Sequence, residues 1–167
     1  MKKFIVVLFA LLFYGNVFAA GTCTETDWEV VKDYRGNKVG TILTILCTHH
    51  TDNSLSAPLS SNGAESAMQK LSGQYIYKIK YIPSSPAPTD ETDLIITDSD
   101  GLSLLGTNGT NFIDETTKQE TLGKNTFLGI NTYLWPVYSE IWTISTSGNA
   151  VSGSKFYLKF YGLYADR

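Results

Sequence analysis

Short runs of β-branched and aromatic residues, alternating with polar ones and broken by turn signals, dominate this chain. Their spacing, roughly 8–12 residues, is that of all-β domains. The clearest run is Gly73–Ile82, where Tyr75, Tyr77, Ile79 and Tyr81 alternate with Ile76, Lys78 and Lys80. Successive side chains of a strand point to opposite faces, so this spelling predicts one aromatic face and one more solvated face. The run ends at Pro83. The following Ser84–Asp90 is a stiff connection, because Pro86 and Pro88 each fix φ and remove a donor. Val39–Thr48, rich in Ile and Leu, is a second strand. With Thr26–Asp33 before it and Arg35-Gly36-Asn37 between, 26–48 reads as a hairpin. Thr92–Thr97, Leu102–Leu105, Tyr138–Ser145 and Lys155–Tyr161 continue the pattern, the last two as a hairpin across Ser147-Gly148-Asn149.

No βαβ alternation occurs. The pattern predicts an all-β fold, an antiparallel β-sandwich or small barrel of about seven to eight short strands. At most one or two short helices accompany them. Polar His49–Asn62, with Pro58, reads as a loop. Residues 64–71 fit either a helix, from the spacing of Ala64, Ala67, Met68 and Leu71, or a strand. Residues 114–122 fit a short helix or a wandering segment.

The first residues do not share this pattern. Lys2 and Lys3 precede an unbroken apolar run from Phe4 to Phe13, and Val17-Phe18-Ala19-Ala20 supplies small residues for a peptidase. These are the three parts of a secretory signal, predicting a signal peptide over 1–19 and a single β-sandwich domain over 20–167. The run is shorter than the ~20 apolar residues that span a bilayer, so no membrane span is expected after cleavage. The whole chain holds 13 basic and 16 acidic residues. Without Lys2 and Lys3 the net charge moves from -3 to -5, which excludes general nucleic-acid binding. The expected location is secreted or periplasmic. In such an oxidising compartment the only two cysteines, Cys23 and Cys47, are expected to pair.

Chemistry-bearing patterns are sparse. Asp98-Ser99-Asp100-Gly101 resembles the opening of a calcium loop, but Asp-Gly is also an ordinary turn, and no bidentate carboxylate follows at the required spacing. Asp98 and Asp100 are thus candidate calcium ligands against a turn reading. No other cofactor is suggested. His49 and His50, beside Asp52, read as solvated loop residues, since neighbours on an extended chain point apart. There is no Gly-x-Ser-x-Gly elbow, His-Glu-x-x-His or phosphate-binding glycine loop, so no enzyme is expected. The aromatic fraction, 13%, is the more suggestive feature. Such residues either fill a core or present a binding face. Tyr133, Trp135 and Tyr138 are the candidate binding surface, because Pro136 disfavours a central strand there.

The stretch from Ser72-Gly73-Gln74-Tyr75 to Ile82-Pro83, then Pro88-Thr89-Asp90 through Ile95-Ile96-Thr97-Asp98 to Leu104-Leu105-Gly106, resembles small phage- and prophage-type structural proteins. So does the final stretch from Ser145-Thr146-Ser147-Gly148 to Phe156-Tyr157-Leu158. The resemblance covers 72–111 and 137–160 and implies a β-sandwich-like, virion-associated component. The signal-like start and the cysteine pair depart from that pattern. Together these readings predict a secreted or periplasmic, non-catalytic β-sandwich acting by binding or assembly, with a protein partner or self-assembly. The alternative is a small-ligand or carbohydrate-binding module with an aromatic platform, in one form calcium-assisted.

Overall fold

The computed structural model describes residues 21–59, 67–122, 125–127, 130–132, 135–137, 141–148 and 151–164. The expected signal segment, 1–19, lies outside them. The strands in chain order are β1 (Thr22–Lys32), β2 (Lys38–Thr48), β3 (Ser56–Leu59), β4 (Gln74–Pro83), β5 (Asp93–Thr97), β6 (Gln119–Leu122), β7 (Asn125–Phe127), β8 (Ile130–Thr132), β9 (Trp135–Pro136), β10 (Trp142–Ser147) and β11 (Lys155–Tyr164). A single helical turn, α1 (Ala67–Leu71), and a 3-10 turn at Gly106–Gly109 accompany them. The large sheet runs β1-β2-β11-β4-β6, with β9 also on β4, and the small sheet runs β3-β10-β5. β7 and β8 form a separate two-stranded ribbon. Every pairing is antiparallel. The expected antiparallel sandwich is therefore the fold, with eight strands of four or more residues in its two sheets.

The core lies between the sheets. Period-two alternation puts Leu43, Ile45 and Cys47 of β2, Ile79 and Tyr81 of β4, and Phe156, Leu158 and Phe160 of β11 on one inner face. Ala57 and Leu59, Leu94 and Ile96, and Trp142 and Ile144 form the other. Trp142 meets Phe160 across the gap at 6.3 Å between ring centres. The helical turn α1 packs against β2 and brings in Met68 and Leu71, both fully buried. On β1, Cys23 sits directly opposite Cys47 and the two form a disulfide, with Cα atoms 4.0 Å apart. The expected pairing is thus present, and it staples an edge strand whose side chains are mostly exposed. Such a bridge is typical of oxidising, extracytoplasmic surroundings. Among the described residues no helix is long and apolar enough to cross a membrane.

Several local expectations change. β10 and β11 do not form a hairpin. They lie in different sheets, because each has one apolar side and stacking face to face buries both. The polar 49–62 stretch contains strand β3, whose Pro58 is tolerated because β3 is an edge. Residues 102–105 make one isolated bridge, Thr97↔Ser103, and no strand. The open segment 64–71 is helical over its described part, and 114–122 ends in strand β6.

Candidate binding face

The outer side of the large sheet is built by three strands, β2, β11 and β4. None of the three contains a carboxylate. On β11, Lys155, Tyr157, Lys159 and Tyr161 alternate with the buried Phe156, Leu158 and Phe160, so they face outward. On β2, Ile42, Thr44, Leu46 and Thr48 do the same. β4 is less regular. Tyr161 pairs with Lys78 but Gly162 pairs with Ile76, which leaves Tyr77 as the extra residue of a bulge. A bulge re-aims side chains by breaking the strict alternation. Ile76 stays inside and fully buried, while Tyr77 and Lys78 come out together. Both meet Tyr161: the Tyr77 ring lies edge-on at 6.1 Å and the Lys78 ammonium stands 4.3 Å from the ring centre. The single aromatic face expected for 75–81 is therefore split. Tyr81 is buried, and Tyr75 and Tyr77 belong to the outer side.

The bulge leaves a second mark at Gly162. A Cβ there would stand 2.5 Å from Gln74 Oε1. The Gln74 amide is buried, donates to Thr41 Oγ1 at 2.9 Å and to the Lys70 carbonyl at 2.6 Å, and has no partner for its own oxygen. Only glycine leaves room for that side chain under the sheet.

Cross-strand neighbours fix the charge pattern. Lys159 lies directly opposite Lys80, and Lys80 lies opposite Glu120 of β6. Lys78 is 3.9 Å from Glu120. Among the described residues, acids reach this side of the sheet from its edge strands, as Glu120 on β6 and Asp27 and Glu29 on β1, opposite Thr44 and Ile42. The face is thus a flat patch of half-buried tyrosines and aliphatics with lysines through its centre.

The other sequence candidates fall elsewhere. Tyr133 and Tyr138 lie outside the described residues, and Trp135 is described only through its backbone, which pairs with Ile76 in β9. Trp142 is a core residue. The Asp98 carboxylate accepts from the Asp100 amide at 3.0 Å and the Leu102 amide at 2.8 Å, so it caps the turn around Gly101. Among the described residues no group of three acidic, cysteine or histidine side chains is arranged to hold a metal ion.

His49 is not a solvated loop residue: it is 2% exposed. Its Nε2 is 2.7 Å from Thr146 Oγ1 on β10, and its Nδ1 is 2.9 Å from Ser154 Oγ, just before β11. The ring packs on Phe156 at 5.7 Å. Burial holds its pKa below the ordinary 6.5, keeping it neutral. Ser154 and His49 have the residue types of a nucleophile and base. However, Ser154 is fully buried, and both ring nitrogens are engaged by hydroxyls. The group ties the end of β2 to both sheets and is a structural clamp. Its neighbour His50 contacts Asp52 at 3.2 Å near the surface.

The lysine and tyrosine pattern of β11 is visible in sequence as alternation. The patch was missed because β4 and β11 are far apart in the chain, and no local signal says they are neighbours or marks the bulge. No family model matches the chain, and no curated protein matches its sequence.

Proposed function

We propose that this chain is an exported, secreted or periplasmic β-sandwich that acts by binding or assembly, without catalysis, through the outer face of β2, β11 and β4. The observation that carries the reading is that face. Its three strands hold five lysines, five tyrosines outside the core and no acid, in a chain with excess negative charge. Tyrosines give large contact area at low entropic cost, which is why interfaces favour them. The Cys23–Cys47 bridge and the signal-like start support export. The resemblance of 72–111 and 137–160 to phage-type structural proteins supports the assembly form. A second reading, a carbohydrate-binding module, is favoured by the half-buried tyrosines Tyr77, Tyr157 and Tyr161, whose rings suit stacking on sugars.

Cell fractionation, followed by mass spectrometry of the unreduced protein, tests export. A disulfide-bonded chain starting at Ala20 in the extracytoplasmic fraction is expected. A full-length reduced chain in the cytoplasm would overturn it. Sedimentation and polysaccharide-column retention test contact, with and without chelator for the calcium-assisted form. A monomer retained on nothing would end the binding reading.

A further inference from the structure

The outer face pays an electrostatic cost that its own fold does not use. Lys80 and Lys159 stand directly opposite each other on β4 and β11, where like charges destabilise a sheet. Among the described residues, no carboxylate lies within 4 Å of the ammonium groups of Lys80, Lys155 or Lys159. Elsewhere the chain carries the opposite arrangement. Asp90, Glu91, Asp93, Asp114 and Glu115 are gathered into one corner at the start of β5. The Glu115 amide donates to Asp90 Oδ1 at 2.7 Å, the Asn111 amide to Asp93 Oδ1 at 2.8 Å, and Thr92 bridges Ile113. The corner is tightly built, with Glu91 held at φ +63°. None of these five carboxylates has a lysine or arginine within 4 Å among the described residues.

We propose that the lysine face is the docking site for the acidic corner of a second copy, so that the chain associates head to tail. This rests on the assembly form of the function proposed above and names its partner. Three observations favour a second copy. The complement is present on the same chain, so it is always available in equal amount. The two patches do not meet within one molecule: the corner lies against the inward-facing Tyr81 through the Asp114 carbonyl, Lys80 and Lys159 point outward, and no ion pair among the described residues joins the two groups. Both patches are rigid, one a sheet and the other a capped turn, so docking orders little. The ionised carboxylates that cap backbone amides still have acceptor sites for an ammonium group. Because the two patches differ, the contact is heterologous, and it generates a ring if the rotation closes or a filament if it does not.

Sedimentation velocity on the disulfide-bonded mature protein tests this at about 50 mM and about 500 mM salt, where screening differs several-fold in strength. Concentration-dependent association at low salt, reversed at high salt, is expected. Lys80→Glu/Lys159→Glu and Glu91→Lys/Glu115→Lys should each run as monomers that still unfold cooperatively. Neither pair caps an amide or fills the core. An equal mixture of the two should associate again, because each variant then meets opposite charge on the other. If one variant does not fold, the salt dependence of the native protein still decides. A native protein monomeric at every salt and concentration overturns the inference, as do charge variants that associate like the native chain. A native monomer retained on a polyuronate column, and released by Lys80→Glu/Lys159→Glu, also overturns it but leaves the proposed binding function standing. A monomer retained on nothing removes both.

Discussion

Replacing Ser154 with alanine should cost more than a serine hydroxyl usually does. The hydroxyl is fully buried and is the partner of His49 Nδ1, while Nε2 is engaged by Thr146. A neutral imidazole has one donor and one acceptor nitrogen, so each hydroxyl answers one of them. Ser154→Ala leaves one ring nitrogen without a partner in a site that water does not reach, which costs about 1–3 kcal/mol. His49→Phe keeps a ring against Phe156 but strands the Ser154 hydroxyl, for a similar loss of about 2–3 kcal/mol. In the double variant nothing is stranded at that position. The two losses should therefore fall short of additivity by about 1–2 kcal/mol, as expected for residues that share one bond. Urea unfolding of the four proteins at pH 7.5, with the disulfide intact, measures this cycle. A pH series adds an independent check. The unfolded chain takes up a proton near the ordinary histidine value, and the folded one only at lower pH, because burial depresses His49. This contribution is complete above about pH 6.5 and is lost as pH falls from there through the depressed folded value. The native protein should lose stability over that range, and His49→Phe should lose less. Strictly additive losses, together with identical pH slopes in native and His49→Phe proteins, would refute the clamp.

Three further outcomes follow from the fold. Reducing Cys23–Cys47, which are 24 residues apart, should cost about 3 kcal/mol in the chain-entropy model, read as a lower urea midpoint under reductant, with β1 amides exchanging first. Gly162→Ala should destabilise by about 1–3 kcal/mol in thermal unfolding, because its Cβ would press on Gln74 Oε1 and the bulge cannot relax without disturbing β4; a neutral result would mean that Gln74 can rotate away. Acid unfolding should set in below about pH 4 and deepen toward about pH 2. Asp52 is held down to about 2 by hydrogen bonds from Ser54, and Asp33 and Asp114 are lowered chiefly by backbone amides of their own turns. The stability these folded carboxylates contribute is present above the unfolded value near 3.9 and disappears as each is protonated. Nuclear magnetic resonance titration of the aspartates checks the order.

The sheet-forming runs were legible because alternation is a local property. β2, β4 and β5 lie where their period-two spelling put them, within a residue, β11 starts as expected and runs three residues longer, and the turn at Arg35-Gly36-Asn37 joins β1 to β2 as expected. What stayed hidden depends on distant partners. Nothing near His49 reveals that Thr146 and Ser154 will close over its ring. Nothing in Gly73–Ile82 announces a bulge, since the extra residue is defined only against β11. The pairing of β10 was misread for the same reason: adjacency along the chain suggested a hairpin, but burial of two apolar faces sends β10 and β11 to different sheets. The acidic turn at Asp98 was readable both ways, and its own amides take the carboxylate.

The disulfide also bears on the order of assembly. β2 sits between β1, the strand before it, and β11, the last of the described strands. A chain that emerges from its N-terminus has β2 long before it has β11, so one edge of its most apolar strand must wait until β11 has emerged. The β1–β2 hairpin is the only contact β2 can make within the large sheet during that interval, and Cys23 and Cys47 are both present as soon as that hairpin is. A covalent lock closing at that stage fixes the register of the first two strands. β11 then arrives at a template that is already set, rather than at a free edge able to pair with the wrong neighbour.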